Sequence, residues 1–558
     1  MENENLQTKL SSDDRIISAE FRKRRKVVFK PYSQNQQFLM PKNIDDFISE
    51  GHIARFISQI IDEMDTDFIL DTYVGGGTSS YEPRMMLKCW ILGFVYKTYS
   101  CRLLAKSIRE NLAFIWMSGN QTPDFRTLNN FRLRLTDDIK QIFKQICLHG
   151  LELGIIKGED VFVDHTKNQA NANKHKVIWK KQVNNQLEKI DVELDELFRY
   201  IDQINKEEEK TYGSKDLPEK ERSKFDENKV NQIVDKINRK IKEGKISKEE
   251  GGEQRVKVRR TKTLIERKET YENKKKILGK RNSYSKTDHD AVAMMVKDKK
   301  TIRPAYNEGI LIENGIVLNY VIDDNASDSV SFINLMKGAV DNLEKTPERV
   351  NGDGAYGNEE NSMFLEDKGI ENFLKYNTYH KEKSKSWLDE KIRRNDFVYD
   401  KENDEFTCKN GNKLCFIEED IDETATGYVK QIIRYKTKEN SCDSCPLRGK
   451  CTTSKNRVLE INWNGERLRR IAKENLDSDK GKELRKRRGN EVESVFGDQK
   501  LNNRKRHYQL RGIKKVNLEA GLYYISHNMK KMHSLVENKG KMDKDNGRIR
   551  RIFTLDNN

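Results

Sequence analysis

The 558-residue sequence contains no long hydrophobic run. Its most apolar stretch, Cys89 to Tyr96, is far shorter than the roughly 20 residues needed to cross a bilayer core. The segment from Met1 to Arg15 is polar and lacks the apolar centre of a secretory signal. Eight cysteines are too few for a disulfide scaffold in a chain of this length. The sequence therefore predicts a cytosolic protein without a membrane span.

Charged residues are abundant and unbalanced. They make up 35% of the chain, as do the hydrophobic residues, and 106 Lys and Arg against 90 Asp and Glu leave a net charge of +16. A basic protein of this kind favours a polyanionic partner. Nucleic acid is the first expectation and an anionic membrane surface the second, and no small-molecule substrate is expected.

The first 155 residues show the apolar spacing of helices. Within them, the stretch from Pro123 to Leu135 places Arg126 and Arg132 among apolar residues. This pattern suits a helix that is packed on one face and contacts phosphates with the other. Ordinary solvated arginines on a helical bundle would give the same pattern.

The pattern changes to a mixed α/β order after residue 155. A short strand runs from Asp160 to Asp164 and ends in a carboxylate, and a hairpin from Gly309 to Asp323 turns at Asn314-Gly315. A helix, a strand, a second helix and a second strand then follow at 330–343, 349–353, 359–368 and 372–376. This order predicts a mixed α/β domain.

An insertion separates the first strand from the hairpin. Its apolar residues form a heptad seam and then a second helical stripe, which together predict an antiparallel helical hairpin. These residues are Val183, Leu187, Ile190, Leu194, Leu197, Ile201 and Ile204, then Val230, Ile233, Ile237 and Ile241. The return arm, Arg255 to Arg281, holds twelve Lys or Arg and three Glu. Arg259 and Arg260 lie in it and are candidates for phosphate contacts, although a merely solvated charged helix is the alternative.

Five of the eight cysteines lie between residues 408 and 451. Cys442, Cys445 and Cys451 have the spacing Cys-x2-Cys-x5-Cys, and Cys408 supplies a fourth thiolate from a turn. Four thiolates suit a closed, structural zinc site. Cys415 competes with Cys408 for the fourth position, and free thiols are the alternative to zinc.

Three carboxylates are candidates for phosphodiester chemistry with two Mg²⁺ ions, which needs oxygen ligands on rigid elements. Asp164 and Asp353 follow predicted strands. Glu493 lies on a predicted helix and is bracketed by Gly489 and Gly497 at i−4 and i+4. Glycine costs about 1 kcal/mol in a helix interior, so this bracketing indicates a site rather than a solvated face.

Lys500 and Glu491 are the other candidate residues around this helix. Lys500 lies two turns after Glu493 on the same predicted face. Glu491 is a competing carboxylate, but it does not share a face with Lys500. A strand-terminal Asp is also a common turn residue or helix cap, so Asp164 and Asp353 have an ordinary structural alternative.

The ordered set of motifs resembles the DDE transposases of bacterial insertion sequences, most closely the group of insertion sequence eleven-eighty-two. The N-terminal motifs are Leu39–Pro41, Gly51–Arg55, Tyr81–Pro83, Ser100–Arg102, Trp116–Gly119 and Pro123–Thr127. The later motifs are Val163–Lys167, Ala170–Asn173, Ser285–Ala291, Pro304–Asn307, Asp353–Gly357 with Glu360 and Asn361, Arg488–Lys500, Leu510–Gly512 and Asn528. The sequence departs from the family where His165 follows the first Asp in place of the usual glycine, and where Gly352 precedes the second Asp in place of the common alanine.

The resemblance implies an RNase H-like catalytic core within a mixed α/β (α+β) protein and an N-terminal domain like that of the family. Together with the heptad and cysteine patterns, it predicts an inserted helical hairpin and an inserted zinc-ribbon-like module. The expected boundaries are 1–155 for the helical DNA-binding domain, 156–180, 283–400 and 456–536 for the core, 181–282 for the hairpin, 401–455 for the cysteine module and 537–558 for a loosely ordered tail.

The resemblance also implies a function. Asp164, Asp353 and Glu493 would hold two Mg²⁺ or Mn²⁺ ions, and Arg488 and Lys500 would hold phosphates. The expected protein binds the terminal inverted repeats of its element as a homodimer, cuts the double-stranded DNA and joins the ends to target DNA, in association with the bacterial nucleoid. The alternatives are an inactive DNA-binding derivative and a metal-dependent nuclease without strand transfer.

Overall fold

The computed structural model describes residues 43–73, 80–212, 227–296, 301–424 and 426–545, with side chains given for all of these except 201–212, 227–230, 388 and 539–545. The chain divides into two units, Met1–Ser49 and Glu50–Asn558. In the first unit, the described part contains one 3-10 helix, Ile44–Phe47, which is capped by Asn43. Every element named below belongs to the second unit.

The second unit combines helices and strands, as the sequence predicts. The α-helices are α1 Ile53–Glu63, α2 Asp67–Leu70, α3 Pro83–Val95, α4 Cys101–Glu110, α5 Leu112–Met117, α6 Phe125–Arg134, α7 Ile139–Glu152, α8 Lys180–Tyr212, α9 Glu227–Lys242, α10 Lys248–Leu278, α11 Phe332–Leu343, α12 Glu359–Asp367, α13 Lys385–Glu390, α14 Arg448–Cys451, α15 Trp463–Asp477, α16 Asp479–Gly497 and α17 Ile513–Asp545. The strands are β1 Asp160–Gln169, β2 Val177–Trp179, β3 Ser283–Ser285, β4 Val292–Val296, β5 Thr301–Glu313, β6 Ile316–Asp323, β7 Arg349–Gly352, β8 Glu371–Leu374, β9 Val398–Asp400, β10 Glu405–Thr407, β11 Lys413–Glu423, β12 Val429–Thr437 and β13 Val458–Ile461.

In the described residues of the N-terminal part of this unit, the regular elements from α1 to α7 are all helices. Pro83 occupies the first turn of α3, where its missing N–H costs nothing. Trp90 in α3 is fully buried, and its indole N–H donates to the Leu128 carbonyl of α6 at 3.1 Å. The long C-terminal helix α17 packs against α1, α3 and α7. Residues 1–42 and 74–79 of the predicted domain lie outside the described residues.

A six-stranded sheet forms the centre of the unit. Its main path is β4-β5-β1-β7-β8, and β6 pairs with the other half of β5. The β1–β5 and β5–β6 pairs are antiparallel, whereas β1–β7 and β7–β8 are parallel. Helix α16 packs against β1, β5 and β7, α15 packs against β8, and α11 and α17 pack against β6.

Strand β1 corrects one expectation. It continues five residues beyond Asp164, to Gln169, so Asp164 lies in the middle of the strand rather than at its end. The continuation is polar, which is why the apolar pattern stopped early. Its residues nevertheless pair with β5, and His165, Thr166 and Asn168 are buried.

The insertion after β2 contains three helices in its described residues, rather than the expected two-armed hairpin. Val183 and Leu187 of α8 pack with Leu278 at the end of α10, and Ile190 and Leu194 pack with Leu264 of α10, so α8 and α10 are antiparallel. Helix α9 packs on α10 through a separate cluster, Ile233, Val234, Ile237 and Val258. The side chains of Ile201, Ile204 and Val230 lie outside the described residues.

A second, five-stranded sheet follows the core strands in sequence. Its order, β13-β12-β11-β10-β9, is antiparallel throughout. It has its own small core, which consists of Phe397, Phe406, Leu414, Tyr435, Leu459 and Ile461. The sheet thus extends beyond both ends of the expected 401–455 module.

The C-terminal helix also differs from expectation. The tail from residue 537 was expected to be loosely ordered, but α17 continues to Asp545. Residues 546–558 lie outside the described residues. None of the helices in the described ranges combines the length and the apolar character needed to cross a bilayer.

Candidate active site

The parallel pair β1–β7 brings Asp164 and Asp353 together. The register runs from Asp160 opposite Arg349 to Phe162 opposite Asn351, and Asp353 follows the last residue of β7. One guanidinium nitrogen, Nη2 of Arg488 on α16, lies 3.5 Å from Asp164 Oδ1 and 4.0 Å from Asp353 Oδ2. Two of the three predicted carboxylates and the predicted arginine therefore form one cluster.

The two carboxylates remain accessible. The Asp164 side chain is 24% exposed and that of Asp353 is 43% exposed. Asp353 is held by its own turn, because the Ala355 N–H donates to its Oδ1 at 2.9 Å and the Tyr356 N–H donates to its carbonyl at 3.3 Å. The end of the β1–β7 pair thus presents two carboxylates to solvent, with one guanidinium group beside them.

The third predicted carboxylate, Glu493, lies on α16 five residues after Arg488 and is exposed. A Cβ added to Gly489 or Gly497, on the same side of the helix, would meet no atom within 4 Å. The described residues contain no group of three or more His, Cys, Asp or Glu side chains arranged to hold a metal ion. The structure therefore gathers Asp164 with Asp353 but does not bring Glu493 into a ligand set with them.

Glu491, the competing carboxylate on α16, is used elsewhere. Its Oε2 accepts a hydrogen bond from the Gly315 N–H at 2.7 Å, at the turn between β5 and β6. It also lies 3.9 Å from Arg487. Of the two glutamates, only Glu493 presents its carboxylate to open space.

Lys500 approaches the same strand as Asp164. It lies in a π-helical turn, Asp498–Asn502, that continues α16, and its Nζ donates to Thr166 Oγ1 at 2.5 Å. Residues two apart on a strand point to the same face, so Lys500 contacts the face of β1 that carries Asp164. Single π-turns inside helices occur frequently at functional sites.

His165 points away from this cluster, into the core. Its ring is 4% exposed and forms hydrogen bonds with the Tyr356 hydroxyl at 2.7 Å and the Ser331 hydroxyl at 2.8 Å. Burial lowers the pKa of His165 to about 4, so the ring is neutral at physiological pH. The opposite residue in β5 is Gly309, where any Cβ would overlap the imidazole. His165 is therefore a buried structural histidine in this arrangement.

The predicted phosphate-binding arginines have different environments. Arg126 of α6 is exposed, with its guanidinium 5.7 Å from the Phe125 ring centroid. Arg132 is 4% exposed; it stacks on Trp90 and donates to Asn129 Oδ1 at 2.8 Å, so its prediction as a surface phosphate contact is wrong. On α10, Arg259 is exposed, whereas Arg260 forms an ion pair with Glu193 of α8.

Four cysteines line one small cavity of about 20 Å³ beside the second sheet: Cys408, Cys442, Cys445 and Cys451. Cys408 begins a tight turn, in which its N–H donates to the Asn412 carbonyl and its carbonyl accepts from the Gly411 N–H. Cys415 is exposed on β11 and does not line the cavity, so the structure favours Cys408 as the fourth member. Burial, with the neighbouring thiols, raises the pKa of Cys451. The other cysteines lie far from this group in sequence; Cys89 and Cys147 are buried, and Cys101 is partly exposed.

Two family models match the chain. A model described as a transposase DDE domain matches residues 407–533, and one described as a transposase domain (DUF772) matches residues 42–134. These matches support an insertion-sequence transposase. The first match contains Arg488, Glu493 and Lys500 but neither Asp164 nor Asp353. The comparisons with curated proteins and with solved structures found no match.

One basic residue beside Asp353, Lys375, was not predicted from the sequence. Lys375 follows β8, and its N–H donates to the Gly352 carbonyl at 3.2 Å, which places it next to the turn of Asp353. Burial and the nearby Arg488 and Arg485 lower the pKa of Lys375. Its signal in the sequence was its position just after a core strand, parallel to the strand that precedes Asp353.

Asp288 and Asp290, which could suggest a metal motif, have structural roles instead. Asp288 accepts from the Tyr306 hydroxyl and from the Gly512 N–H, and Asp290 accepts from the Ile513 N–H at 2.8 Å. Both carboxylates therefore cap the first turn of α17, where unpaired N–H groups favour negative charge.

Proposed function

We propose that this protein is a DDE transposase that binds the terminal inverted repeats of its element, cuts the DNA there and transfers the freed ends to target DNA. The observation that carries the proposal is the convergence of Asp164 and Asp353 on Arg488 at the edge of the β1–β7 pair. The strand order β6-β5-β1-β7-β8, with the first three strands antiparallel and the last three parallel, supports the RNase H-like core that the resemblance implies.

The donor atoms suit divalent cations. Asp164 and Asp353 offer hard carboxylate oxygens at a partly exposed edge, and Mg²⁺ is commonly held by one or two carboxylates together with substrate phosphates. Glu493 is the proposed third ligand because it shares α16 with Arg488 and faces open space. When bound, two such ions polarise the scissile phosphodiester and the attacking hydroxyl.

The chain's own residues position the DNA. Arg488 lies between the two aspartates and would bind a phosphate there, while Lys500, which contacts Thr166, would hold a phosphate further along β1. The exposed Arg126 and the basic arm of α10, including Arg259, are proposed contacts to the flanking duplex. Bringing two transposon ends together requires a homodimer on DNA.

Replacing one aspartate tests the catalytic part of the proposal. Purified protein is incubated with Mg²⁺ and a duplex carrying the element's ends, and nicks and joined products are measured on a denaturing gel. We expect the wild type to cut and join, and Asp353→Asn to bind the duplex equally but not cut. Asp479→Asn is the matched control, since Asp479 is a fully exposed side chain at the start of α16. Full cleavage by Asp353→Asn would remove this residue from the mechanism.

One observation favours a second candidate, a transposase-derived DNA-binding protein without catalysis. Glu493 is not gathered with the two aspartates, as expected for a site that has lost its function. Binding of the ends without cleavage by the wild type would support it. Cleavage that releases 3′-hydroxyl ends but never joins them would instead indicate a metal-dependent nuclease.

We also propose that the four-cysteine cavity holds a structural Zn²⁺. The support is that these four cysteines line one small cavity next to a small sheet whose core contains few residues. In the described residues their thiols are not arranged as a ligand set, so binding would have to draw them together. A closed site of four thiolates has no open position for chemistry, so the ion would stabilise the five-stranded module.

A further inference from the structure

Both departures from the resembled family contact the same side chain, Tyr356. The His165 ring forms a hydrogen bond of 2.7 Å with its hydroxyl. A Cβ at Gly352 would lie 2.9 Å from Tyr356 Cδ2 and within 2.8 Å of Val163 and Leu374 atoms, so no larger residue fits there without a shift. The two unusual residues therefore belong to one packing arrangement.

Tyr356 belongs to the turn that carries Asp353. Its side chain is fully buried and lies against Phe332, with ring centroids 5.8 Å apart. Its carbonyl accepts from Asn361 Nδ2 at 2.9 Å. Because Tyr356 is fixed in this way, a bond to its hydroxyl also holds the turn that carries Asp353.

His165 is fixed from its other side. Its second ring nitrogen bonds to Ser331, the residue before α11, and Gly309 of β5 leaves the space that the ring occupies. The backbone N–H of His165 donates to Asp164 Oδ1 at 2.9 Å. The same residue therefore contacts the first aspartate through its backbone and the turn of the second through its side chain.

We propose that His165 is a positioning residue, which ties the Asp353 turn to β1 through the Tyr356 hydroxyl and so fixes the separation of the two aspartates. This inference rests on the proposed function, because it assigns the separation a role in cation binding. A neutral imidazole has one donor and one acceptor nitrogen, which matches its two hydroxyl partners. Residues that orient metal ligands from outside typically change metal affinity or activity by 10- to 100-fold when they are replaced.

The test uses the full-length protein without DNA. Mn²⁺ binding is measured by electron paramagnetic resonance, and backbone hydrogen exchange is measured for a peptide covering 353–357. Tyr356→Phe, which removes only the hydroxyl, is expected to weaken Mn²⁺ binding about tenfold and to speed exchange of that peptide. Tyr306→Phe is the matched control, since Tyr306 is an equally buried tyrosine whose hydroxyl donates to Asp288.

A double-mutant cycle tests the coupling of the two departures. Gly352→Ala alone is expected to speed exchange of the turn, because the new methyl group displaces the Tyr356 ring. Adding His165→Gly leaves the Tyr356 ring free to move. Gly352→Ala should therefore speed exchange of the turn less in the His165→Gly background than in the wild type. Additive effects on both measurements would contradict the coupling.

The outcomes separate this inference from the proposed function. Unchanged Mn²⁺ affinity and unchanged exchange in Tyr356→Phe, with binding abolished by Asp353→Asn, would show that His165 only fills the core. If the wild type binds no Mn²⁺, unchanged exchange in Tyr356→Phe would still overturn the inference. Mn²⁺ binding that depends on His165, in a protein that never cuts DNA, would support the positioning role and refute the transposase reaction.

Discussion

Filling the open face of α16 is the sharpest test of how DNA approaches the site. Gly489 and Gly497 bracket Glu493, and a Cβ added to either would meet no atom within 4 Å. Gly497 has helical dihedrals, φ −64° and ψ −46°, so alanine fits without strain. Alanine stabilises a helix interior by about 1 kcal/mol relative to glycine. Gly489→Ala and Gly497→Ala should therefore each make α16 more stable.

The expected gain is measurable locally. A stabilisation of about 1 kcal/mol slows hydrogen exchange through local opening by about fivefold, which is read from a peptide covering 484–497. If the DNA backbone occupies the space beside Glu493, the same methyl groups displace it, and nicking should fall by at least about tenfold. The two variants would thus be more stable and less active.

The control is a glycine with the same freedom elsewhere. Gly252 lies near the start of α10, and a Cβ there also meets nothing within 4 Å. Gly252→Ala should slow exchange of its own helix and leave nicking unchanged. Slower exchange in Gly489→Ala and Gly497→Ala with wild-type nicking would refute the idea that this face receives DNA.

Three further predictions concern other parts of the chain. Purified protein should contain one Zn²⁺ per chain by elemental analysis; Cys408→Ser should lose it, and Cys415→Ser should retain it. Asp160→Asn should destabilise the fold by about 3 kcal/mol in urea denaturation. Burial alone would raise the pKa of Asp160, but hydrogen bonds from Arg349 and Lys480 lower it below its usual value. The contribution of Asp160 to the free energy of unfolding is therefore complete above about pH 4 and is lost as the pH falls below the unfolded-state pKa. A contribution that persists in acid would contradict this. Arg259→Ala should reduce the salt dependence of DNA binding by about one ion. Arg260→Ala, which breaks an existing ion pair, should reduce it less. If both variants show the salt dependence of the wild type, α10 is not part of the DNA interface.

Local patterns predicted the elements whose geometry depends on neighbouring residues. The turn at Asn314-Gly315 is an example, because both residues adopt positive φ, 54° and 75°, as a two-residue hairpin requires. The helix before β7 and the strands β7 and β8 also follow directly from apolar spacing. In each case the decisive information lies within a few residues of the element.

The features that the sequence patterns did not predict depend on residues distant in sequence. The polar half of β1 continues as a strand because Lys167 pairs with Asp328, and Asn168 donates to the buried Glu308. Likewise, Cys415 and Leu414 are equally apolar in sequence, but the register of β11 buries Leu414 and exposes Cys415. Registers of this kind depend on contacts that no short window contains.

The candidate site divides in the same way. Its two aspartates were predicted as carboxylates at strand ends; Asp353 does follow β7, whereas Asp164 lies in the middle of β1. The role of His165 was not predictable, since it depends on the space left by Gly309 and on the Tyr356 hydroxyl. Glu493 was predicted from its glycines, and the open space beside them is observed, whereas its approach to the aspartates stays a prediction.

The register of the acid pair has a physical anchor four residues upstream. Asp160 is opposite Arg349 at the start of the β1–β7 pair, whose register ends at Phe162 opposite Asn351, two residues before Asp164 and Asp353. The buried Asp160 carboxylate accepts hydrogen bonds from Arg349 of β7 at 2.5 Å and from two cations of α16, at 2.6 and 2.9 Å. This carboxylate thus joins β1, β7 and α16. Asp164 lies on β1, Asp353 follows β7, and Arg488 lies on α16. Because one buried charge is shared by all three elements, sliding any of them would leave it unpaired, at a cost of several kcal/mol. Asp160 therefore sets the register of β1, β7 and α16 away from the solvent-exposed edge where DNA would bind, whereas the proposed role of His165 concerns only the turn of Asp353.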